Sequence, residues 1–129
     1  MKLTSKVNTK TQQYASNRDG MLKLLEKLEI HYEESRFQGQ EKHVERARAK
    51  GQFLARERIE LLLDQDSPFL ELLPLAGLGG KGFGTGGTTV GGIGIVSGRL
   101  CMVVSNVGTN KGGSIDFPTL QKGLRLAEI

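Results

Sequence analysis

The sequence predicts an α/β chain: a helical arm, then the opening strands of a sheet, then one sheet-packing helix, together an incomplete domain. Three observations predict it. Apolar residues recur at helical spacing through the first half of the chain. Two β-rich runs, Ile93-Gly94-Ile95-Val96 and Leu100-Cys101-Met102-Val103-Val104, flank a hairpin turn at Ser97-Gly98-Arg99. The second run enters a glycine-bearing loop with one lysine, and an amphipathic segment follows. Two or three strands with one helix leave sheet edges unpaired, which is the mark of an incomplete domain.

Residues 1–16 are rich in Lys, Thr, Gln, Ser and Asn and read as a disordered polar N-terminus. The helical arm spans residues 17–66. Its first helix begins near Asn17 or Asp19 and carries Met21, Leu24, Leu25 and Leu28 on one face; Gly39 ends or interrupts it. Glu41 to Lys50 forms a second, highly charged helix with Gly51 as its stop. A third starts at Ala55 with Ile59, Leu62 and Leu63 as its apolar stripe, and Asp64-Gln65-Asp66-Ser67-Pro68 breaks it. From residue 67 to residue 129 the character changes. Phe69-Leu70-Glu71-Leu72 reads as a short strand, and Leu78 to Gly87 as a glycine-dense loop. Phe117-Pro118 starts the last helix, where a proline lacks an N–H that the first turn does not need. Leu120, Leu124 and Ala127 share one face of it.

The chain has 129 residues, 37% of them apolar and 5% aromatic, with no Trp. That is lean for a self-sufficient core. Net charge is +4 and the isoelectric point is near 9.4. The arginine run Arg46, Arg48, Arg56, Arg58 accounts for much of the local excess. Glu41, Glu45, Glu57 and Glu60 neutralise it and aromatics are not interleaved, so a nucleic-acid interface is disfavoured. Ion pairing on the helix surface is one reading of the run; a docking face for an anionic ligand or a partner subunit is the other. Cys101 is the only cysteine and lies in an apolar strand, so it reads as a buried, inert thiol. No secretory signal is visible at the N-terminus, the early cations are mostly lysine, and no run reaches transmembrane length. The expected compartment is the cytoplasm, with no membrane partner.

Gly77-Leu78-Gly79-Gly80-Lys81-Gly82 and Gly82-Phe83-Gly84-Thr85-Gly86-Gly87 both match GxGxxG. Each leads towards a strand rather than a helix, which is the wrong context for a dinucleotide fingerprint. A flexible loop is the plain reading, and a lid beside a ligand is the functional one. His31 and His43 are too far apart to share one helix turn, and no Cys/His cluster accompanies them, so no metal site is predicted. The strand-end loop Val104 to Ser114 is the sharper signal. Its backbone N–H groups, the charge of Lys111 and the following helix N-terminus suit a phosphate or another anion.

Several ordered stretches resemble one family. Ala55-Arg56-Glu57-Arg58-Ile59-Glu60-Leu61-Leu62-Leu63-Asp64 with Ser67-Pro68-Phe69-Leu70-Glu71 is similar to a stretch of the carboxyltransferase (β) subunits of biotin-dependent acyl-CoA carboxylases. Gly91 to Gly98 resembles their strand-turn segment. Asn106, Thr109, Lys111-Gly112-Gly113, Pro118, Thr119, Lys122, Leu124-Arg125 and Glu128-Ile129 fit the segment that follows. The resemblance runs from about Met21 to the end of the chain. The Lys-Gly-Gly version is most similar to the methylcrotonoyl-CoA carboxylase type. Val107-Gly108 and Asn110 depart from the family pattern.

The resemblance implies a crotonase-like (ClpP/crotonase) fold of ββα units in a superhelix, with residues 67–129 as the truncated beginning of the N-terminal carboxyltransferase domain. It implies transfer of carboxylate from carboxybiotin to an acyl-CoA of the methylcrotonoyl, propionyl or acetyl class. Biotin is then carried on a partner subunit or domain, the biotin carboxylase/biotin carrier subunit is a partner, and the intact protein is a homo-oligomer. Lys111, Gly112 and Gly113 are the acyl-CoA contacts it implies. The oxyanion-hole loops are expected beyond Ile129, so no catalytic residue and no turnover by this chain alone are expected. The alternative is a non-catalytic subunit-interaction module.

Overall fold

The computed structural model describes residues 4–81 and 84–129. Gly82 and Phe83, part of the loop read above as a lid, lie outside the described residues. The chain divides into two compact units, Met1–Ile30 and His31–Ile129.

The first unit is dominated by helix α1 (Gln12–Ser35), whose last turn enters the second unit. It starts five residues before Asn17. The Thr11 hydroxyl accepts the Tyr14 N–H at 3.2 Å, a side-chain cap at the start of the helix. The polar stretch 12–16 is therefore helical, because a capped first turn outweighs its weak propensity. Met21, Leu24 and Leu25 do share a face, yet each is at least half exposed.

The second unit adds α2 (Glu41–Ala49), α3 (Ala55–Leu62), β1 (Leu70–Glu71), β2 (Thr89–Val96), β3 (Arg99–Asn106) and α4 (Phe117–Glu128). The sheet order is β1-β2-β3, antiparallel throughout. Leu70 pairs with Ile93, and Thr89 to Val96 pair with Asn106 to Arg99 in register. β2 begins four residues before the apolar run: the β-branched Thr89 and Val90 belong to the strand, and the pair Gly91-Gly92 separates them from Ile93. The glycines of β2 mark close packing: Leu126 of α4 lies where a Cβ of Gly91 would stand, Leu63 occupies the same position at Gly94, and Phe69 and the Leu70 carbonyl do so at Gly92. Adjacent strand residues face opposite ways, so α3 and α4 cover opposite faces of the sheet.

Ala55, Ile59, Val90, Val103 and Val107 form the core on the α3 side, with Leu63, Phe69, Val96 and Cys101 packed against it. Cys101 thus faces the core, but it is half-buried rather than fully buried as its strand context predicts. The α3 stripe needs one correction: Leu62 is exposed, and the buried face is Ala55, Ile59 and Leu63. The face of α4 needs another. Pro118, Thr119, Lys122 and Leu126 are buried, whereas Leu120 and Leu124 point to solvent. On the outer sheet face Leu70, Leu100 and Val104 are also more than half exposed.

The hairpin closes on Ser97 (φ 51°) and Gly98 (φ 73°), both left-handed, as a tight two-residue turn between twisted strands requires. Asp64 holds it: Ser97 N–H donates to Oδ1 at 2.6 Å and Gly98 N–H to Oδ2 at 2.7 Å. The residue just past the C-cap of α3 therefore also fixes the turn. Among the described residues, no helix is long and apolar enough to cross a membrane.

Candidate ligand site

Lys111, Gly112 and Gly113 form a single 3-10 turn between β3 and α4. Lys111 has φ 48° and Gly112 φ 67°, so the chain reverses through left-handed geometry just after the strand. The turn lies at a cavity of about 670 Å³ lined by Phe37, Gln40, His43, Gly84, Thr85, Thr109, Asn110, Lys111 and Asp116, among others. The glycine-rich loop contributes Gly84, Thr85 and Gly87 to that wall and then enters β2, not a helix. The dinucleotide reading is excluded on this topology.

The α4 N-terminus is not an open anion site. Asp116 caps it, accepting the Thr119 N–H at 3.1 Å and the Thr119 hydroxyl at 2.6 Å. Lys111 Nζ sits 3.8 Å from Asp116 Oδ2. Burial pushes the Asp116 carboxyl up, but the bonds from Thr119 and the charge of Lys111 outweigh it and leave the pKa below the ordinary value. The protein's own carboxylate thus fills the position that the loop pattern assigned to a ligand anion. Asp116 carries a legible signal, an Asp just before a helix that opens Phe-Pro-Thr.

Thr119 and Lys122 lock the glycine loop to α4. Thr119 Oγ1 accepts the Thr88 N–H at 2.9 Å, and Thr88 Oγ1 donates to the Ser114 carbonyl at 2.8 Å. Lys122 is 2% exposed, and its ammonium donates to the Thr89 carbonyl at 2.7 Å and the Gly86 carbonyl at 3.2 Å. Burial lowers its pKa to about 8, opposed by the charge of Glu71 and assisted by that of Arg56. A third tie closes the other wall. The Thr109 hydroxyl donates to the Gln38 carbonyl, and the Thr109 carbonyl sits where a Cβ of Gly39 would be.

The arginine run is split. Arg48 forms a forked pair with Glu57, and Arg56 a forked pair with Glu71. Among the described residues Arg46 and Arg58 make no ion pair. His31 Nδ1 lies 3.1 Å from Glu34 Oε2 on one helix face. Among the described residues no three His, Cys, Asp or Glu side chains converge.

Residues 46–129 match the carboxyl transferase domain family, and that match takes in more than half of the chain. The chain belongs to this family. It is 52% identical, over 70% of its length, to a probable biotin-dependent acyl-coenzyme A carboxylase beta2 subunit of Mycobacterium tuberculosis. Across 98% of its length it is 43% identical to a probable mitochondrial methylcrotonoyl-CoA carboxylase beta chain of Drosophila melanogaster. Among solved structures it resembles the beta subunit of P. aeruginosa geranyl-CoA carboxylase, with a TM-score of 0.68 and 34% identity over 96% of this chain. The fold is therefore that of the crotonase-like carboxyltransferase subunits. The chain spans 17% and 22% of the two relatives and 23% of the solved chain, about a fifth of each.

Proposed function

We propose that this chain is part of an acyl-CoA carboxylase carboxyltransferase (β) subunit, of the methylcrotonoyl-CoA type. The whole protein transfers carboxylate from carboxybiotin to an acyl-CoA. The observation that carries the reading is the family match over residues 46–129, with relatives whose names include methylcrotonoyl-CoA carboxylase. Residues 17–66 form the arm, and residues 67–129 open the N-terminal carboxyltransferase domain. Carboxybiotin, carried on a partner subunit, supplies the carboxylate, and the working assembly is a homo-oligomer with a biotin carboxylase/biotin carrier partner. No described residue is assigned to biotin or to the chemical step.

The task of this segment is to hold the acyl-CoA. Lys111 offers a charge that is half exposed and only loosely paired with Asp116. Gly112 and Gly113 keep side chains out of the way of an approaching ligand. Titration calorimetry with methylcrotonoyl-CoA tests this. Binding is expected, and Lys111→Ala is expected to weaken it by about tenfold, the scale of one charge-assisted hydrogen bond. Absence of binding by the folded chain removes the acyl-CoA reading; binding indifferent to Lys111→Ala removes the assignment of the turn. A non-catalytic interaction module is the second reading. The exposed Leu100, Val104, Leu120 and Leu124 favour it, and a folded chain that binds no acyl-CoA would bring it forward.

A further inference from the structure

Met21, Leu24, Leu25 and Leu28 fall on one side of α1, because residues three and four apart stack along a helix. Met21 and Leu24 are each more than half exposed, and Leu28, the least open of the four, is still 36% exposed. Among the described residues α1 is the only element of the first unit, so that unit has nothing of its own to cover the stripe. Large apolar side chains on an open helix face are stabilised in water by a second apolar surface.

Two features point to a second copy of the same helix as that surface. The first is symmetry. Met21, Leu24, Leu25 and Leu28 are placed evenly about the point between Leu24 and Leu25, so the pattern reads the same in either direction. An antiparallel copy therefore sets Met21 against the partner's Leu28, and Leu24 against the partner's Leu25. A two-fold pair requires a self-complementary patch of this kind. The second feature is charge. Arg18 and Glu29 are about three helical turns apart and flank the stripe on the same side. In the antiparallel arrangement that side meets its own reverse, which brings Arg18 to the partner's Glu29, twice by symmetry. Within one chain Arg18 lies 3.9 Å from Asp19, with both side chains exposed, and Glu29 makes no ion pair among the described residues. A parallel pair would instead stack the acid-rich second halves, with Glu26, Glu29, Glu33 and Glu34, on one another.

We propose that α1 is a self-docking surface: two copies of this chain pair their first-unit helices antiparallel through Met21, Leu24, Leu25 and Leu28, with Arg18 of each against the partner's Glu29. The contact is a single helix pair, at the low end of specific interfaces, so the dimer is weak and concentration-dependent. The proposal rests neither on the carboxyltransferase reading nor on the Lys111 turn.

Sedimentation equilibrium of the whole chain tests it, in the Leu100→Lys/Val104→Lys background so that the outer sheet face does not contribute. Leu24→Gln/Leu28→Gln keeps good helix formers and removes the stripe; it is expected to weaken the dimer at least about tenfold. Arg18→Glu alone and Glu29→Arg alone are each expected to weaken it about fivefold at low salt, by setting like charges together. An equimolar mixture of those two variants is expected to recover the dimer, because every pair across the heterodimer is then opposite in sign. That recovery separates the contact from any effect on folding, since mixing two misfolded chains repairs neither. Association unchanged by Leu24→Gln/Leu28→Gln overturns the proposal. A mixture that associates no better than its two components overturns the antiparallel pairing. A chain that stays monomeric, with Met21 to Leu28 amides that exchange faster in the stripe variant, assigns the stripe to the chain's own second unit and overturns the proposal too. So does a monomer that binds vesicles of anionic lipid and loses that binding with the stripe.

Discussion

Lys122 shows how much a single side chain can tie together. Its four-carbon stem crosses from α4 to the strand entry, and its ammonium donates to the Gly86 carbonyl of the glycine loop and the Thr89 carbonyl at the start of β2. Holding that charge out of water is costly, and the pKa of about 8 records the cost. The sign follows from the lowered pKa. Above about pH 8 the folded chain sheds this proton while the unfolded chain keeps it to about pH 10, so the unfolded state binds more protons and stability rises with pH across that window. Urea midpoints of wild type and Lys122→Met at neutral pH and near pH 9.5 check this. The wild type is expected to gain over that interval relative to the variant; parallel behaviour would show that Lys122 does not titrate there. The family pattern marked Lys122 as a matching residue. Nothing in its sequence context marked it as buried, since a lysine on a helix is ordinarily a solvated one.

At the level of elements, the β2–β3 hairpin and the glycines of β2 carry the packing. Asp64 replaces two lost partners at the turn, and Ser97 holds a left-handed conformation that its side chain does not favour. Asp64→Ala is expected to destabilise the chain by about 2 kcal/mol, since two backbone donors lose a charged acceptor while remaining able to reach water. Equilibrium urea denaturation reads that loss. Gly92→Ala puts a methyl group against the Leu70 carbonyl and the Glu71 Cα, both backbone atoms that cannot rotate aside. About 3 kcal/mol of destabilisation is expected, with β1 pulled from the sheet. Amide hydrogen exchange localises it: Leu72, which donates to the Gly91 carbonyl at 2.9 Å, is expected to lose protection before β3 does. Exchange that rises evenly along the sheet would contradict the local clash. The hairpin and the third helix were legible because their signals are local: a serine-glycine turn between β-rich runs, and apolar residues four apart. The continuity of β2 through Gly91 and Gly92 was not, since glycines at a close approach carry no strand signature of their own.

Across the whole chain, burial is uneven. The α3 side of the sheet is closed, while Leu70, Leu100 and Val104 on the outer face and Leu120 and Leu124 on α4 remain more than a third exposed. Among the described residues β3 is also an edge strand, with one row of backbone groups lacking a sheet partner. Such a surface favours association in water. Sedimentation equilibrium of this chain is expected to show concentration-dependent self-association. Leu100→Lys/Val104→Lys is expected to reduce it while leaving the circular dichroism spectrum unchanged, because neither side chain contributes to the core on the α3 side. Association unaffected by that pair would place the contact elsewhere.

The sequence by itself determined the order of elements, the hairpin, the core positions Ile59 and Leu63 of the α3 stripe, and the resemblance that the family match now supports. Each rests on residues close together in the chain, where periodicity and turn chemistry act. Tertiary structure decided which face of α4 is buried, which arginines are paired, and that Lys122 is enclosed rather than solvated. Those outcomes depend on which distant elements meet. A charge finds its partner, and an apolar stripe its cover, only after the chain has brought them within a few ångströms, and no one-dimensional pattern holds that distance.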